Sequence, residues 1–288
     1  MLTVKKTEVP TEAAVLDAPG LSLPLTFDCG QSFRFEPVTD RPGYFEGVAY
    51  GRYLLVSAEE EKLFLHGIPP EDAELWQKYF SLDRDWEAIR QDVAARAPVL
   101  SRAAEVAGGI RILRQEPFEA LITFVLSQCN NISRIKGLVL RLSAQYGSPI
   151  YLPDGRVLHA FPDSETLSSV PIGELRALKL GYRAEFVHAA ANAACNGLLD
   201  EVEKEPNTQA ASLLLTAVPG IGEKVAACVL LFGFGRLDAF PRDVWIKKAM
   251  QRYFPGGNNP AVFGPYAGVA QQYLFYLERY LNGSSAKQ

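Results

Sequence analysis

Apolar residues are spaced in two different ways along this chain. From Leu21 to about Leu65 the apolar stretches are short and punctuated. Residues 32–35 alternate polar with aromatic positions, 44–49 and 53–57 carry residues that suit a pleated surface, Tyr50 and Gly51 mark a turn, and 63–65 form another short run. An antiparallel sheet is the expected outcome. From Pro70 the period lengthens to that of a helix, with helices predicted over 73–80, 85–95, 99–107, 117–126 and 132–146. Further helices are predicted over 173–177, 183–196, 208–218, 223–234, 244–253 and 260–280, with Gly and Pro between them, and the rest of the chain is expected to stay helical. The tail over 283–288 is expected to fray. The pattern predicts an α+β protein, mostly helical. A β-rich amino-terminal domain spans 1–105 and a helical core spans 106–288, with a helical hairpin at about 208–234 and a terminal helix able to pack back on the amino-terminal domain.

Composition narrows the class. The 288 residues are 48% apolar and 22% charged, which is globular rather than disordered, collagen-like or coiled-coil. Domains usually run about 100 to 200 residues, so two packed units are expected. Lys5, Lys6, Glu8, Glu12 and Asp17 interrupt any signal-peptide core, and no apolar run approaches the roughly 20 residues of a membrane helix, so an intracellular protein without a membrane partner is expected. Cys29, Cys129, Cys195 and Cys228 are widely separated, without the paired spacing of a zinc or iron–sulfur site, and read as reduced thiols.

The formal charge of −4 taken alone argues against a nucleic-acid partner. The charge is segregated, however. Residues 59–92 hold ten acids against four bases, a balance of −6 that leaves the remainder at +2.

Chemistry concentrates at Val218–Pro219–Gly220–Ile221–Gly222–Glu223–Lys224, where one apolar helix ends and a second begins. Two glycines let the backbone turn tightly and bring amide N–H groups to an anion, while the second helix's amino terminus adds partial positive charge. Such a turn suits a DNA phosphate. It also suits a plain hairpin of two helices, and the tetrapeptide alone leaves both open. Lys224 sits just inside the second helix. An amine there, shielded from water, loses part of its preference for the charged form and becomes a nucleophile for a sugar carbon, whereas a solvated surface lysine does neither. Nineteen residues later Asp243 stands where it caps the next helix. A capping aspartate stays ionised and can stabilise positive charge developing on a sugar; the cap is structural in either case.

These motifs, with Cys29–Gly30–Gln31–Ser32–Phe33–Arg34, Cys129–Asn130–Asn131–Ile132–Ser133–Arg134, Leu180–Gly181–Tyr182–Arg183–Ala184, Pro241–Arg242–Asp243–Val244 and Ala270–Gln271–Gln272–Tyr273–Leu274–Phe275, carry a resemblance over most of the chain. The chain resembles the helix–hairpin–helix DNA glycosylases with lyase activity, and more narrowly the 8-oxoguanine DNA glycosylase family. The resemblance implies a twisted antiparallel sheet joined to helical parts, with the lesion pocket at their junction. Lys224 is then the nucleophile that attacks C1′ and forms a Schiff base from which β-elimination cuts the strand, and Asp243 stabilises charge at the sugar. The backbone carbonyl of Gly30 accepts the N7–H that 8-oxoguanine has and guanine lacks. Gln271 reads the base's pairing edge, Phe275 stacks on the ring, Pro241 joins the pocket, and Cys228 sits beside the purine and pairs electrostatically with Lys224.

By the same resemblance Arg134 and Arg183 bind the cytosine left unpaired, Tyr182 is an aromatic wedge, and Asn130, Gly220 and Gly222 contact DNA. Two positions depart from the animal enzymes. Cys129 replaces the first of three asparagines that fill the gap left by base flipping, and Trp245 replaces a phosphate-binding histidine. The carbonyls of Thr216, Val218 and Ile221 match positions that hold a monovalent cation; the chemistry requires no cofactor. The implied partner is double-stranded DNA containing 8-oxoguanine opposite cytosine, bound by a monomer, DNA-associated within the cell, whose acidic segment over 59–92 faces away from the duplex. Two alternatives stay open: a non-catalytic helix–hairpin–helix DNA-binding protein, and a glycosylase for another damaged purine.

Overall fold

A computed structural model of the chain describes residues 13–255 and 260–282. The expected fraying over 283–288 falls outside them. The amino-terminal part is built from β1 (Ala13–Asp17), α1 (Leu23–Phe27), β2 (Phe35–Pro37), β3 (Tyr44–Ala49), β4 (Arg52–Glu59) and β5 (Lys62–His66). The strands form one antiparallel sheet in the order β1-β5-β4-β3-β2. Leu54, Val56, Leu63 and Leu65 are fully buried and pack with Phe27, Phe35 and Phe45 beneath α2 (Ala73–Tyr79), whose Trp76 and Tyr79 close the cluster. Phe27 stacks on Phe35 with ring centroids 4.3 Å apart. Each such side chain removed from water contributes about 1.5–3 kcal/mol.

The helical part follows as α3 (Trp86–Ala95), α4 (Pro98–Ala107), α5 (Pro117–Leu126), α6 (Ile132–Tyr146), a hairpin of β6 (Pro149–Tyr151) and β7 (Val157–His159), then α7 (Ser164–Ser169), α8 (Ile172–Ala177), α9 (Arg183–Cys195), α10 (Leu198–Lys204), α11 (Thr208–Thr216), α12 (Glu223–Phe232), α13 (Val244–Tyr253) and α14 (Ala267–Tyr276). Helix α5 is its axis: every residue from Glu119 to Leu126 is buried, and α9 and α12 pack on it. Helices α3 and α4, which the sequence boundary near 105 groups with the sheet, bury their apolar faces in the helical core and pack against α14.

Several elements differ from the sequence expectation, for physical reasons. The chain after Pro70 is not wholly helical, because residues around Pro153 and Gly155 turn back into the β6–β7 hairpin. Strand β1 has a poor strand composition and forms through long-range pairing, with Val15 opposite Phe64. The short α1 rests on Ser22, whose hydroxyl caps it, and on Pro24 in its first turn. The strand expected over 32–35 begins only at Phe35, and the helix expected over 260–280 starts at Ala267 because Pro265 interrupts it.

A seam of hydrogen bonds joins the two parts. The buried Gln31 amide donates to Thr26 O at 2.9 Å and Arg111 O at 2.8 Å and accepts from Leu113 N at 2.9 Å, while Gln115 Nε2 donates to Gln31 O at 2.7 Å. Arg34 spans the same seam, pairing with Glu119 of α5 at 3.3 Å and donating to His159 O. The turn between α1 and β2, which carries Gly30, is thereby fixed against the helical core.

Candidate active site

Five segments converge on a cavity of about 580 Å³: the Cys29–Phe33 turn, the α5–α6 loop, α12, the start of α13 and one face of α14. Lys224 lies in the first turn of α12, half-buried. Its Nζ donates to Ser127 Oγ at 3.0 Å and sits 5.2 Å from the centroid of the buried Phe124 ring. This is a held amine rather than the solvated surface lysine that the sequence left open.

Asp243 accepts the Ile246 N–H at 2.8 Å and caps α13 as expected. Its carboxyl is nevertheless raised above the ordinary carboxylate range. Burial is the largest effect, and the Ile246 and Trp245 amides and the Lys224 and Arg279 charges offset it only in part. The expected cap is present, and burial narrows the margin by which the carboxylate form is favoured. Cys228 is buried, and burial pushes its thiol up despite the Lys224 charge. That favours a neutral thiol beside Lys224.

Gly30 has φ +78°, and a Cβ there would lie 3.6 Å from the Phe275 ring and from Ile132 Cδ1. The ring therefore faces bare backbone across a narrow slot. Burial pushes the adjacent Cys29 thiol up to about 12. Gln271 is 4% exposed, lines the cavity and leaves its Oε1 without a partner, and Pro241 and Trp245 complete the wall. Arg279 stands 5.5 Å over the Phe275 ring.

Gln128, which lines the cavity, also ties the α5–α6 loop to the hairpin turn. Its Nε2 donates to Gly220 O at 2.9 Å, and its own carbonyl accepts from Arg183 Nε at 2.9 Å and Tyr182 Oη at 3.3 Å. Arg183 also donates to Cys129 O at 3.1 Å, and its guanidinium lies 4.6 Å from the Tyr182 ring centroid. Gly220 has φ +86°, and a Cβ there would fall 2.1 Å from Phe186 Cγ, so the turn admits glycine alone. Gly222 opens α12 with nothing within 4 Å of its would-be Cβ, leaving the helix amino terminus clear. Cys129 is exposed with φ +47°, a conformation that asparagine tolerates better than cysteine. Asn130 Nδ2 donates to Leu126 O at 3.1 Å, and Arg134 sits exposed at the start of α6. Arg134, Tyr182, Arg183, Gly220 and Gly222 do not line the cavity; Cys129, Asn130 and Trp245 do.

Sequence reasoning missed Ser127, Gln128, Gln272 and Arg279 as site residues. Ser127 and Gln128 adjoin the Cys129–Arg134 motif, Gln272 follows Gln271 in α14, and Arg279 stands four residues past Phe275 in the helical turn Leu277–Asn282, so adjacency to a motif was the available signal. Lys224, Arg242, Lys247 and Arg279 line the cavity against the single carboxylate of Asp243, and no residue of 59–92 does; Glu61, Asp85 and Glu87 border a separate cavity. Among the described residues, no group of three or more His, Cys, Asp or Glu side chains is placed to hold a metal ion, and no helix is long and apolar enough to cross a membrane. Thr216 closes α11, and Val218 O accepts the Ile221 N–H at 3.0 Å.

Comparison with known proteins agrees with this geometry. The 8-oxoguanine DNA glycosylase N-terminal domain family matches residues 15–121, and the HhH-GPD superfamily of base excision DNA repair proteins matches 122–262. The N-glycosylase/DNA lyase OGG1 of Arabidopsis thaliana is 30% identical over 90% of this chain and 77% of its own length. The solved 8-oxoguanine glycosylase/lyase of Clostridium acetobutylicum, in complex with double-stranded DNA containing cytosine opposite 8-oxoguanine, superposes with a TM-score of 0.88 at 30% identity, covering 96% of this chain and 98% of that one. A structure of MBOgg1 in complex with a low affinity DNA ligand gives a TM-score of 0.86 at 32% identity over 94% of this chain and 99% of that one. A sheet-backed glycine turn, a helix–hairpin–helix bearing a held lysine and matches that run the length of the fold lead to one assignment: the chain belongs to the 8-oxoguanine DNA glycosylase family of helix–hairpin–helix base excision repair proteins.

Proposed function

We propose that this protein is a base excision repair DNA glycosylase with lyase activity, which excises 8-oxoguanine flipped from double-stranded DNA opposite cytosine. The observation that carries the reading is the position of Lys224, with Nζ 3.0 Å from Ser127 Oγ in a cavity that it shares with the capping carboxylate of Asp243. A non-catalytic DNA-binding module has no use for that pairing.

In this reading the target nucleotide leaves the duplex at a cost of a few kcal/mol in stacking and pairing. Its base enters the slot between Gly30 and Phe275, where a glycine carbonyl accepts the N7–H of the lesion. In undamaged guanine a lone pair meets that carbonyl, a mismatch worth roughly 1–3 kcal/mol. Gln271 reads the pairing edge, and Pro241 and the neutral Cys228 supply wall. Once deprotonated, Lys224 Nζ forms a bond to C1′ as the C1′–N9 bond breaks. The base departs with the electron pair and takes up a proton. Asp243 stabilises positive charge on the sugar in the transition state. Opening of the sugar ring gives the Schiff base. Loss of a C2′ proton then expels the 3′ phosphate by β-elimination.

Phosphate contacts fall to the open amino terminus of α12 at Gly222, to Gly220 and to the Trp245 indole N–H, with Cys129 and Asn130 beside the gap left in the stack. Tyr182 wedges the duplex while Arg134 and Arg183 take the unpaired cytosine. The sheet-bearing amino-terminal part supplies one wall of the lesion pocket through the Cys29–Phe33 turn, and the helical core supplies the chemistry. The protein acts on DNA as a monomer in this reading. The carbonyls of Thr216, Val218 and Ile221, at the end of α11 and in the turn after it, would hold a monovalent cation that bridges the turn to a DNA phosphate.

The test is covalent trapping. Incubated with a duplex containing 8-oxoguanine opposite cytosine and then reduced with borohydride, wild-type protein should yield a crosslinked adduct that Lys224→Ala does not form. Cleavage by wild type with no trapped adduct would refute the lysine mechanism.

A further inference from the structure

Helix α14 adds a second buried amide to the lining of the same cavity. Gln272 is 3% exposed, lines the cavity beside Gln271, and likewise leaves its Oε1 without a hydrogen-bond partner. At about 100° per residue, positions 271, 275 and 272 fall in that order within one arc of α14. Phe275 thus lies between the two amides, and all three, with Arg279 of the following helical turn, line the cavity. Buried amide carbonyls in folded proteins are nearly always paired, so two unpaired ones on the wall of one cavity point to a ligand that brings donors.

We propose that Gln272 is a second base-reading residue, accepting a hydrogen bond from the pairing edge of an extrahelical guanine-type base alongside Gln271. Such an edge carries two neighbouring donors, the ring N1–H and the exocyclic amino group, and two neighbouring amide carbonyls meet both. An adenine-type edge presents a ring-nitrogen lone pair beside a single amino group, so one carbonyl stays unpaired. The two glutamines therefore select the guanine class of purine, while the Gly30 carbonyl selects its oxidised form. This assignment rests on the reading of the chain as an oxidised-guanine glycosylase.

The test uses Gln272→Leu, with Gln272→Ala as a second variant in case the branched side chain is not accommodated. Three quantities are measured: single-turnover excision of 8-oxoguanine opposite cytosine, borohydride trapping at a preformed abasic site opposite cytosine, and thermal unfolding. Excision should fall roughly 10- to 100-fold, the effect of one lost hydrogen bond to the reacting base. Trapping at the abasic site, where no base is present to be read, should stay within about twofold, and the leucine variant should unfold at the wild-type temperature or higher, because it removes an unsatisfied buried amide. Unchanged excision, or equal losses of excision and trapping together with a lowered unfolding temperature, would overturn the assignment. Failure of the parent reading is distinct: wild-type protein would then trap abasic sites or bind DNA without excising 8-oxoguanine.

Discussion

Replacing Glu119 with glutamine should stabilise the protein above neutral pH and leave it nearly unchanged in acid. The carboxyl lies in α5 at the seam between sheet and helical core, 8% exposed and 3.3 Å from the Arg34 guanidinium. Burial is the largest influence on it; the Arg34 charge opposes burial and the neighbouring Glu116 reinforces it, and the carboxyl rises from an ordinary 4.5 to about 7. A carboxyl raised on folding holds its proton more tightly in the folded chain than in the unfolded one. Its contribution to stability is therefore complete below 4.5 and is lost as pH rises through about 7. At about 1.4 kcal/mol per pH unit, the loss reaches about 3 kcal/mol by pH 8, a large part of the ~5–15 kcal/mol that holds a typical domain together. Glutamine cannot ionise but keeps an acceptor for Arg34. Urea unfolding of wild type and Glu119→Gln at several values between pH 5 and pH 8 gives a difference curve from which other titrating groups cancel. That curve should climb in favour of the variant by up to about 3 kcal/mol. A flat curve, or one in which the variant loses ground as pH rises, would mean that Arg34 holds Glu119 ionised and that the ion pair outweighs its own desolvation.

Two further outcomes follow from the same geometry. Gly220→Ala must adopt φ +86° and seat a Cβ 2.1 Å from Phe186 Cγ; left-handed strain of about 1–2 kcal/mol and overpacking of about 1–3 kcal/mol predict a loss of roughly 2–5 kcal/mol with weakened duplex binding. Adding Phe186→Ala should relieve only the packing share, and a single variant within about 0.5 kcal/mol of wild type would contradict the geometry. Because burial raises Asp243 above the ordinary 3.8, the acid limb of base excision should lie above that value, and Arg279→Met should move it higher by removing a charge that favours the carboxylate. A limb unmoved by Arg279→Met would separate Asp243 from the rate.

The chemistry of the site was legible because its signals are local. A Pro-Gly-Ile-Gly turn, a lysine one residue past a helix start and an aspartate at the next cap are each written within a few positions. What was not legible depends on distance along the chain. Ser127 meets Lys224 across 97 positions, Gln128 meets Gly220 across 92, and Arg34 meets Glu119 across 85. Strand β1 likewise exists only through its pairing with β5. The burial of Asp243 was hidden for a related reason: the cap was visible, but the burial that raises its carboxyl comes from elements packed around it. Net charge misled in the opposite direction, since an average over 288 residues hid a cavity whose charged lining is basic except for Asp243.

The contacts of Arg183 constrain how the proposed opposite-base recognition can work. In the free protein its guanidinium donates to the carbonyls of Gln128 and Cys129, while the Gln128 side chain holds the hairpin turn through Gly220 O. A base bound through Nε and Nη2 displaces those carbonyls, each bond to a charged donor being worth roughly 1.5–3 kcal/mol. The exchange is close to neutral only if the base returns acceptors in the same number. Cytosine does so, offering its ring nitrogen and carbonyl oxygen to the guanidinium fork. A base that presents a donor there leaves Arg183 short of a partner, and the arginine is then better placed on Gln128 and Cys129. Selectivity on this account comes less from the strength of the contact with cytosine than from the protein carbonyls competing for the same donors, and Gln128 places that competition next to the hairpin turn at Gly220.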